Sequence, residues 1–210
     1  MTRAIILFLG AMATLLFALI ILIILPNAML SKVKAPPGLK PYTQEELLGR
    51  QVYIRNGCVY CHSQQVRDPT FTTDVARGWG SRPSVPADYV YDKPHLLGTM
   101  RTGPDLINVG VRLPDAQWHL LHLYQPRALV PWSIMPPYPF LFEHKETATP
   151  DETVLTIPEA FGPKSGVVVV TDEAKALVAY LLALKRDYPV NAQAPVQPEG
   201  ETGEGEGANK

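Results

Sequence analysis

Two cysteines and a histidine stand in one short run, Gly57-Cys58-Val59-Tyr60-Cys61-His62, and Cys58 and Cys61 are the only cysteines in the chain. A C-x-x-C-H spacing is that of a c-type haem attachment site. Thiols on adjacent helical turns can each form a thioether with a haem vinyl group, and the next residue's imidazole then lies under the iron as its fifth ligand. Other uses of these residues fit less well. A structural zinc site takes about four ligands, and no second Cys/His cluster stands at metal spacing. A thioredoxin-type dithiol belongs to a βαβ pattern, which this sequence lacks. One covalent haem c on Cys58 and Cys61, with His62 as an axial iron ligand, is the chemistry expected here.

A sixth ligand would set the reduction potential. Met1, Met12 and Met29 lie in or beside an apolar N-terminal run, which leaves Met100 and Met135 as thioether donors. His95, His119, His122 and His144 are rivals. Met135 sits in Ser133-Ile134-Met135-Pro136-Pro137-Tyr138-Pro139, a loop that prolines stiffen. His119 and His122, three apart on one helical stretch, could hold a metal, but no third ligand stands at a suitable spacing and packing explains them as well. Arg67, Arg101 and Arg127 could hold haem propionates through paired hydrogen bonds, or be solvated. Trp79 and Trp132 would pack on haem edges or face a partner.

The elements that must position these groups begin with a membrane anchor. Ala4 to Leu25 carries no charge and is dominated by Leu, Ile, Ala and Phe. At ~1.5 Å per residue it crosses the ~30 Å hydrocarbon core. A cleaved signal peptide has a shorter apolar core and a small-residue cleavage site, whereas this run ends at Pro26-Asn27. Flanking charge orients it weakly, with Arg3 on one side and Lys32 and Lys34 on the other. Because c-type haem is attached outside the cytoplasm in bacteria, the N-terminus is expected in the cytoplasm. The haem domain is then periplasmic, on the bacterial inner membrane.

The predicted division is a transmembrane anchor over 4–25, a tether over 26–41, a haem-bearing domain over 42–189 and a disordered acidic tail over 190–210. From Asn191 onward the tail holds four glutamates and four glycines with little that is apolar. A net charge of −1 gives no reason to expect nucleic acid. The 21 prolines cluster in Ala35-Pro36-Pro37, Pro83 to Pro94 and Pro126 to Pro139. They call for long extended loops. Such loops make few internal hydrogen bonds, so docking on another protein is expected to order them.

Helices bracket the domain. Thr43 and Glu46 form a capping box for a helix that runs into the haem motif. Thr171, with Asp172 and Glu173 behind it and Lys185 and Arg186 at the far end, frames a second helix matched to the macrodipole. Its apolar residues, Ala174, Leu177, Val178, Leu181 and Leu184, recur at three and four. Pro114 to Tyr124 reads as a shorter helix, and Val167 to Val170 as a strand or buried extended chain.

This arrangement resembles class I cytochrome c, in which a helix leads into C-x-x-C-H and a terminal helix crosses it where a glycine meets an aromatic residue. Gly49 and Tyr53, facing Leu177-Val178-Ala179-Tyr180-Leu181, look like that crossing. The resemblance implies a mainly α fold: one N-terminal transmembrane helix plus a periplasmic class I cytochrome c domain with long proline-rich loops. It also implies that Met135 is the sixth ligand, since the family's methionine comes from such a loop. Arg101-Thr102-Gly103-Pro104-Asp105-Leu106 resembles the family's Gly-Pro-x-Leu segment, whose proline carbonyl accepts a hydrogen bond from the proximal histidine and raises its basicity. Pro104 and Arg101 are therefore expected at the haem, with Met100 badly placed for the opposite face.

Gly49 to Arg67, the Arg101 to Leu106 run, Trp118-His119-x-x-His122-Leu123 and Pro126-Arg127-x-x-Val130-Pro131-x-Ser133-x-Met135-Pro136-x-Tyr138-Pro139 are similar to the monohaem subunit of cbb3-type cytochrome c oxidases. With the single anchor, the likeness extends to about Tyr188. It implies an electron conduit fed by a dihaem cytochrome c subunit or a soluble cytochrome c. That conduit serves a large haem-copper oxidase subunit, which itself reduces oxygen. The cytochrome subunit of a nitric oxide reductase and a free membrane-tethered shuttle are the alternatives. A haem-based sensor is weaker, since it would need an open coordination site.

Overall fold

The computed structural model describes residues 2–189, so the expected disordered tail at 190–210 lies outside the described residues. The N-terminal segment is one long helical rod: α1 (Thr2–Leu19), a π-helical stretch Ile20–Ile24 and α2 (Leu25–Leu30) follow without interruption. Among the described residues Arg3–Leu30 is the one helix long and apolar enough to cross a membrane. The helix does not end at Pro26-Asn27 as the apolar run implied. Proline lacks an N–H and its ring crowds the carbonyl four residues back. The wider π stretch lies where that carbonyl, on Leu22, falls, and Pro26 occupies the first turn of α2. Non-helical tether therefore starts after Leu30, and its residue Leu39 is buried on the domain.

The domain is built on the crossing of α3 (Gln44–Arg55) and α6 (Asp172–Ala183). Both N-termini follow the capping rules. Thr43 Oγ1 accepts from Glu46 N at 3.2 Å while Glu46 Oε2 accepts from Thr43 N at 2.7 Å. Thr171 Oγ1 accepts from Ala174 N at 3.2 Å. At Gly49 the backbones meet: a Cβ there would lie 1.8 Å from the Ala176 carbonyl oxygen, so only glycine permits this approach. One turn on, the Tyr53 and Tyr180 rings meet edge to face at 5.5 Å. Around the crossing, Val52, Leu120, Leu123, Phe142, Leu177 and Leu184 form the main core.

Two features depart from expectation and one open choice is resolved. A short helix, α4 (Val109–Arg112), precedes α5 (Ala116–Tyr124); α5 starts not at Pro114 but after Asp115, whose carboxylate accepts from Gln117 N at 2.9 Å. Val167–Val170 (β2) is a strand because Phe142–Lys145 (β1) pairs with it antiparallel, Phe142 opposite Val170. And α6 stops at Ala183, so Arg186 is no helix-end charge. It is buried, its Nε donating to the Asp88 carbonyl at 3.0 Å and its Nη2 to Tyr42 Oη at 2.8 Å.

The loop over residues 81–94 is ordered from within. Arg82 grips both carboxylate oxygens of fully buried Asp88 at 2.9 and 2.7 Å. Tyr188 Oη and Val85 N donate to the same carboxylate at 3.0 and 2.9 Å. Asp92 lies against Arg50 at 3.4 Å and accepts from Tyr42 Oη at 3.1 Å.

Candidate haem site

After α3, Asn56 caps the helix and Gly57 turns left-handed, with φ 69°. The cysteine motif then forms its own tight turn rather than prolonging the helix: Cys61 N and His62 N both donate to the Cys58 carbonyl, at 3.2 and 2.9 Å. This brings Cys58, Cys61 and His62 to one wall of a cavity of about 340 Å³. Cys58 is half-buried and Cys61 exposed, and no disulfide joins them. Burial pushes the Cys58 thiol up to about 11.

Thr102, Gly103 and Pro104 complete that wall. The Pro104 carbonyl lies 2.7 Å from His62 Nδ1. Burial lowers the imidazole's affinity for a second proton, and this carbonyl opposes the effect. The approach depends on Gly103, where a Cβ would fall 2.3 Å from His62 Cε1 and 2.9 Å from Nε2. Glycine at 103 thus lets the backbone pack against the imidazole, and the ring lines a mostly apolar cavity beside two thiols, a donor set that fits a haem.

The facing walls come from Trp118 and His122 of α5 and from the loop carrying Val130, Trp132, Met135 and Tyr138. Met135 is half-buried and packs against the core; its N donates to Ser133 Oγ at 3.2 Å. Met100 is 57% exposed and does not line the cavity. Trp118 stacks on His122, ring centroids 4.7 Å apart and planes within 12°. Burial pushes the His122 imidazole down to about 4, so it is neutral near neutral pH. His119 points away and its Nε2 bonds the Leu113 carbonyl at 2.8 Å. Among the described residues no group of three His, Cys, Asp or Glu is placed to hold a metal ion.

Arg101 is placed differently from its expected role. It does not line the cavity. Its guanidinium donates to Ser63 Oγ at 2.9 Å, to the Gln65 carbonyl at 2.6 Å and to Asp74, and lies over the Trp79 ring at 5.2 Å. A fork committed to protein acceptors has little left for a propionate. Arg67 reaches the Thr99 carbonyl at 3.2 Å, and Arg127 is exposed.

Sequence reasoning missed the residue that organises this wall, Asp105. Fully buried, it accepts from Ser63 Oγ at 2.5 Å, Gln65 N at 2.7 Å and Ile107 N at 2.9 Å. The carboxylate pins the extended segment leaving His62 to the segment carrying Pro104. Its signal was an Asp directly after the Gly-Pro pair, a position whose carboxylate can bond the backbone two residues on.

Residues 1–164 match the family model described as Cytochrome C oxidase, mono-heme subunit/FixO. The chain belongs to this family: it is a mono-haem subunit of cytochrome c oxidase, and its apolar N-terminal helix fits a membrane location. That sets aside the nitric oxide reductase reading. The match ends before β2 and α6, short of the Tyr188 to which the sequence likeness was drawn. No curated protein matches the chain.

Proposed function

We propose that this subunit carries its one haem as haem c, through thioethers from Cys58 and Cys61. His62 Nε2 and Met135 Sδ are the axial pair, and the subunit passes electrons from a donor cytochrome to the large haem-copper subunit. The observation that carries this reading is the pairing of His62 Nδ1 with the Pro104 carbonyl at 2.7 Å beside a cavity that Met135 also lines. Donation from Nδ1–H to a carbonyl leaves Nε2 as the lone-pair nitrogen and fixes the ring. When bound, the haem supplies a one-electron couple; the rest is the work of the chain.

His62 is held by Pro104 at Nδ1, and glycine at 103 lets the backbone pack against the ring without displacing it. Met135 offers a neutral thioether, and histidine–methionine ligation raises the potential relative to other pairs, as delivery to an oxygen-reducing partner requires. Arg101 and Asp105 act behind the wall, holding residues 63–65 in register with Pro104. The helix anchors the subunit in the bacterial inner membrane with its N-terminus cytoplasmic and the 42–189 domain in the periplasm. The donor is a dihaem cytochrome c subunit or a soluble cytochrome c.

Denatured full-length protein should keep its haem on a gel and give a c-type pyridine haemochrome spectrum. Loss of haem on denaturation would rule out the thioethers. Solubilised membranes should yield the chain together with an oxygen-consuming haem-copper subunit; recovery as a monomer would decide against a permanent place in that complex.

A further inference from the structure

We propose that His122 is a positioning residue for the sixth ligand, its unpaired ring nitrogen donating a hydrogen bond to the Met135 thioether once the haem is seated. This rests on the ligation by Met135 argued above.

Three observations place it there. First, α5 is bonded directly to the methionine loop beside His122: the Leu123 carbonyl accepts from Tyr138 N at 2.8 Å. His122 and Met135 thus line one cavity on segments bonded to each other. Second, the ring is held in one plane by its stack on Trp118. Third, its hydrogen-bonding capacity is unspent. Nδ1 is shut against protein atoms without a partner, and Nε2 bonds no protein group yet stays accessible. A buried polar atom left without a partner costs free energy, and on this ring, which lines the cavity, no protein group satisfies Nδ1. The neighbouring His119, one turn back, satisfies its own Nε2 on Leu113.

A thioether sulfur is a weak acceptor, but a donor aimed at it withdraws density from the sulfur–iron bond. That favours the reduced iron and raises the potential, since hydrogen bonds around ligands tune a metal's redox properties.

The test compares detergent-purified, haem-loaded full chain as wild type, His122→Phe and His122→Gln. The readouts are the midpoint potential and the long-wavelength sulfur-to-iron charge-transfer band. Phe keeps a flat ring on Trp118 and removes both nitrogens; Gln loses the ring and keeps a donor. The expected result is a band in all three, a downward shift in potential for the Phe variant and a near wild-type potential for the Gln variant. A Phe variant at wild-type potential overturns the proposal. So does a Gln variant shifted as far as the Phe variant, because that is the response of packing alone. Should the Phe variant take up no haem, the Gln variant decides: a wild-type potential upholds the proposal and a downward shift overturns it. Absence of the band in the wild type would overturn Met135 ligation and the proposal with it, whereas a band with unmoved potentials removes His122 alone.

Discussion

The two long proline-rich loops differ in what orders them. The loop over 81–94 surrounds buried charge: Asp88 and Asp92 face Arg82, Arg50 and Arg186, and Tyr188 and Tyr42 close the set. The loop over 126–139 holds its shape through turns of its own backbone, such as Val130 N to the Pro126 carbonyl at 3.0 Å and Ser133 N to the Val130 carbonyl at 2.9 Å. It places Trp132 (82% exposed) and Ile134 (71% exposed) in the cavity lining, open to solvent. From Ala128 to Phe142 the chain has no charged residue. The expectation that docking orders both loops is wrong for the first. For the second, an uncharged apolar rim at the haem cavity is what a permanent partner surface would cover. Proline content alone did not separate a scaffold from a contact surface; the charges between the prolines did.

Asp88→Ala should hit the scaffold hardest. Removing one partner of a buried pair leaves Arg82 uncompensated, a loss of about 3–5 kcal/mol, read as a lower midpoint in chemical denaturation. The haem potential of whatever folds should stay unchanged. A stable variant would erase the distinction between the loops.

Arg101→Lys should cost less, about 1–3 kcal/mol, because a lysine cannot serve Ser63, Gln65 and Asp74 together. Here the potential is the informative readout. If Arg101 only braces the wall, the potential follows wild type; a marked shift would restore its expected place at a propionate.

Met135→Leu should change stability by less than about 1.5 kcal/mol, being a volume-conserving swap. It should abolish the sulfur-to-iron band and lower the potential, while Met100→Leu alters neither. The opposite pattern would move the ligand out of the 126–139 loop and dissolve its link to the site.

Trp132→Ala should barely move the stability of the subunit, within about 0.5 kcal/mol as for an exposed side chain. It should weaken retention in the oxidase complex on detergent washing. Unaltered retention would leave the outward rim without a partner.

Legibility in the sequence followed the range of the interaction. The caps at Thr43 and Thr171 and the helix periodicities are written within a few residues, and each was readable; the left-handed break at Gly57 that gives the cysteine motif its own turn was not. The glycine–aromatic crossing of Gly49 and Tyr53 with α6 was readable only through resemblance. The pairing of β1 with β2, the burial of Arg186 and the Asp88 and Asp105 hubs join residues far apart in the chain. No local pattern states that a charge near a helix end will be drawn under another loop. Arg101 shows the same limit within the site, where its residue type was right for a propionate and its neighbours claimed it first.

The crossing at Gly49 also bears on timing. Its partner, Ala176 on α6, is separated from it by almost the whole domain, and contacts between such distant residues form late because the loop between them must close first. During synthesis the cysteine motif emerges well before α6 does. The thiols of Cys58 and Cys61 thus pass through an interval in which the lid of the fold has yet to be made. A crossing that shuts only when α6 arrives leaves that interval for the haem attachment proposed above.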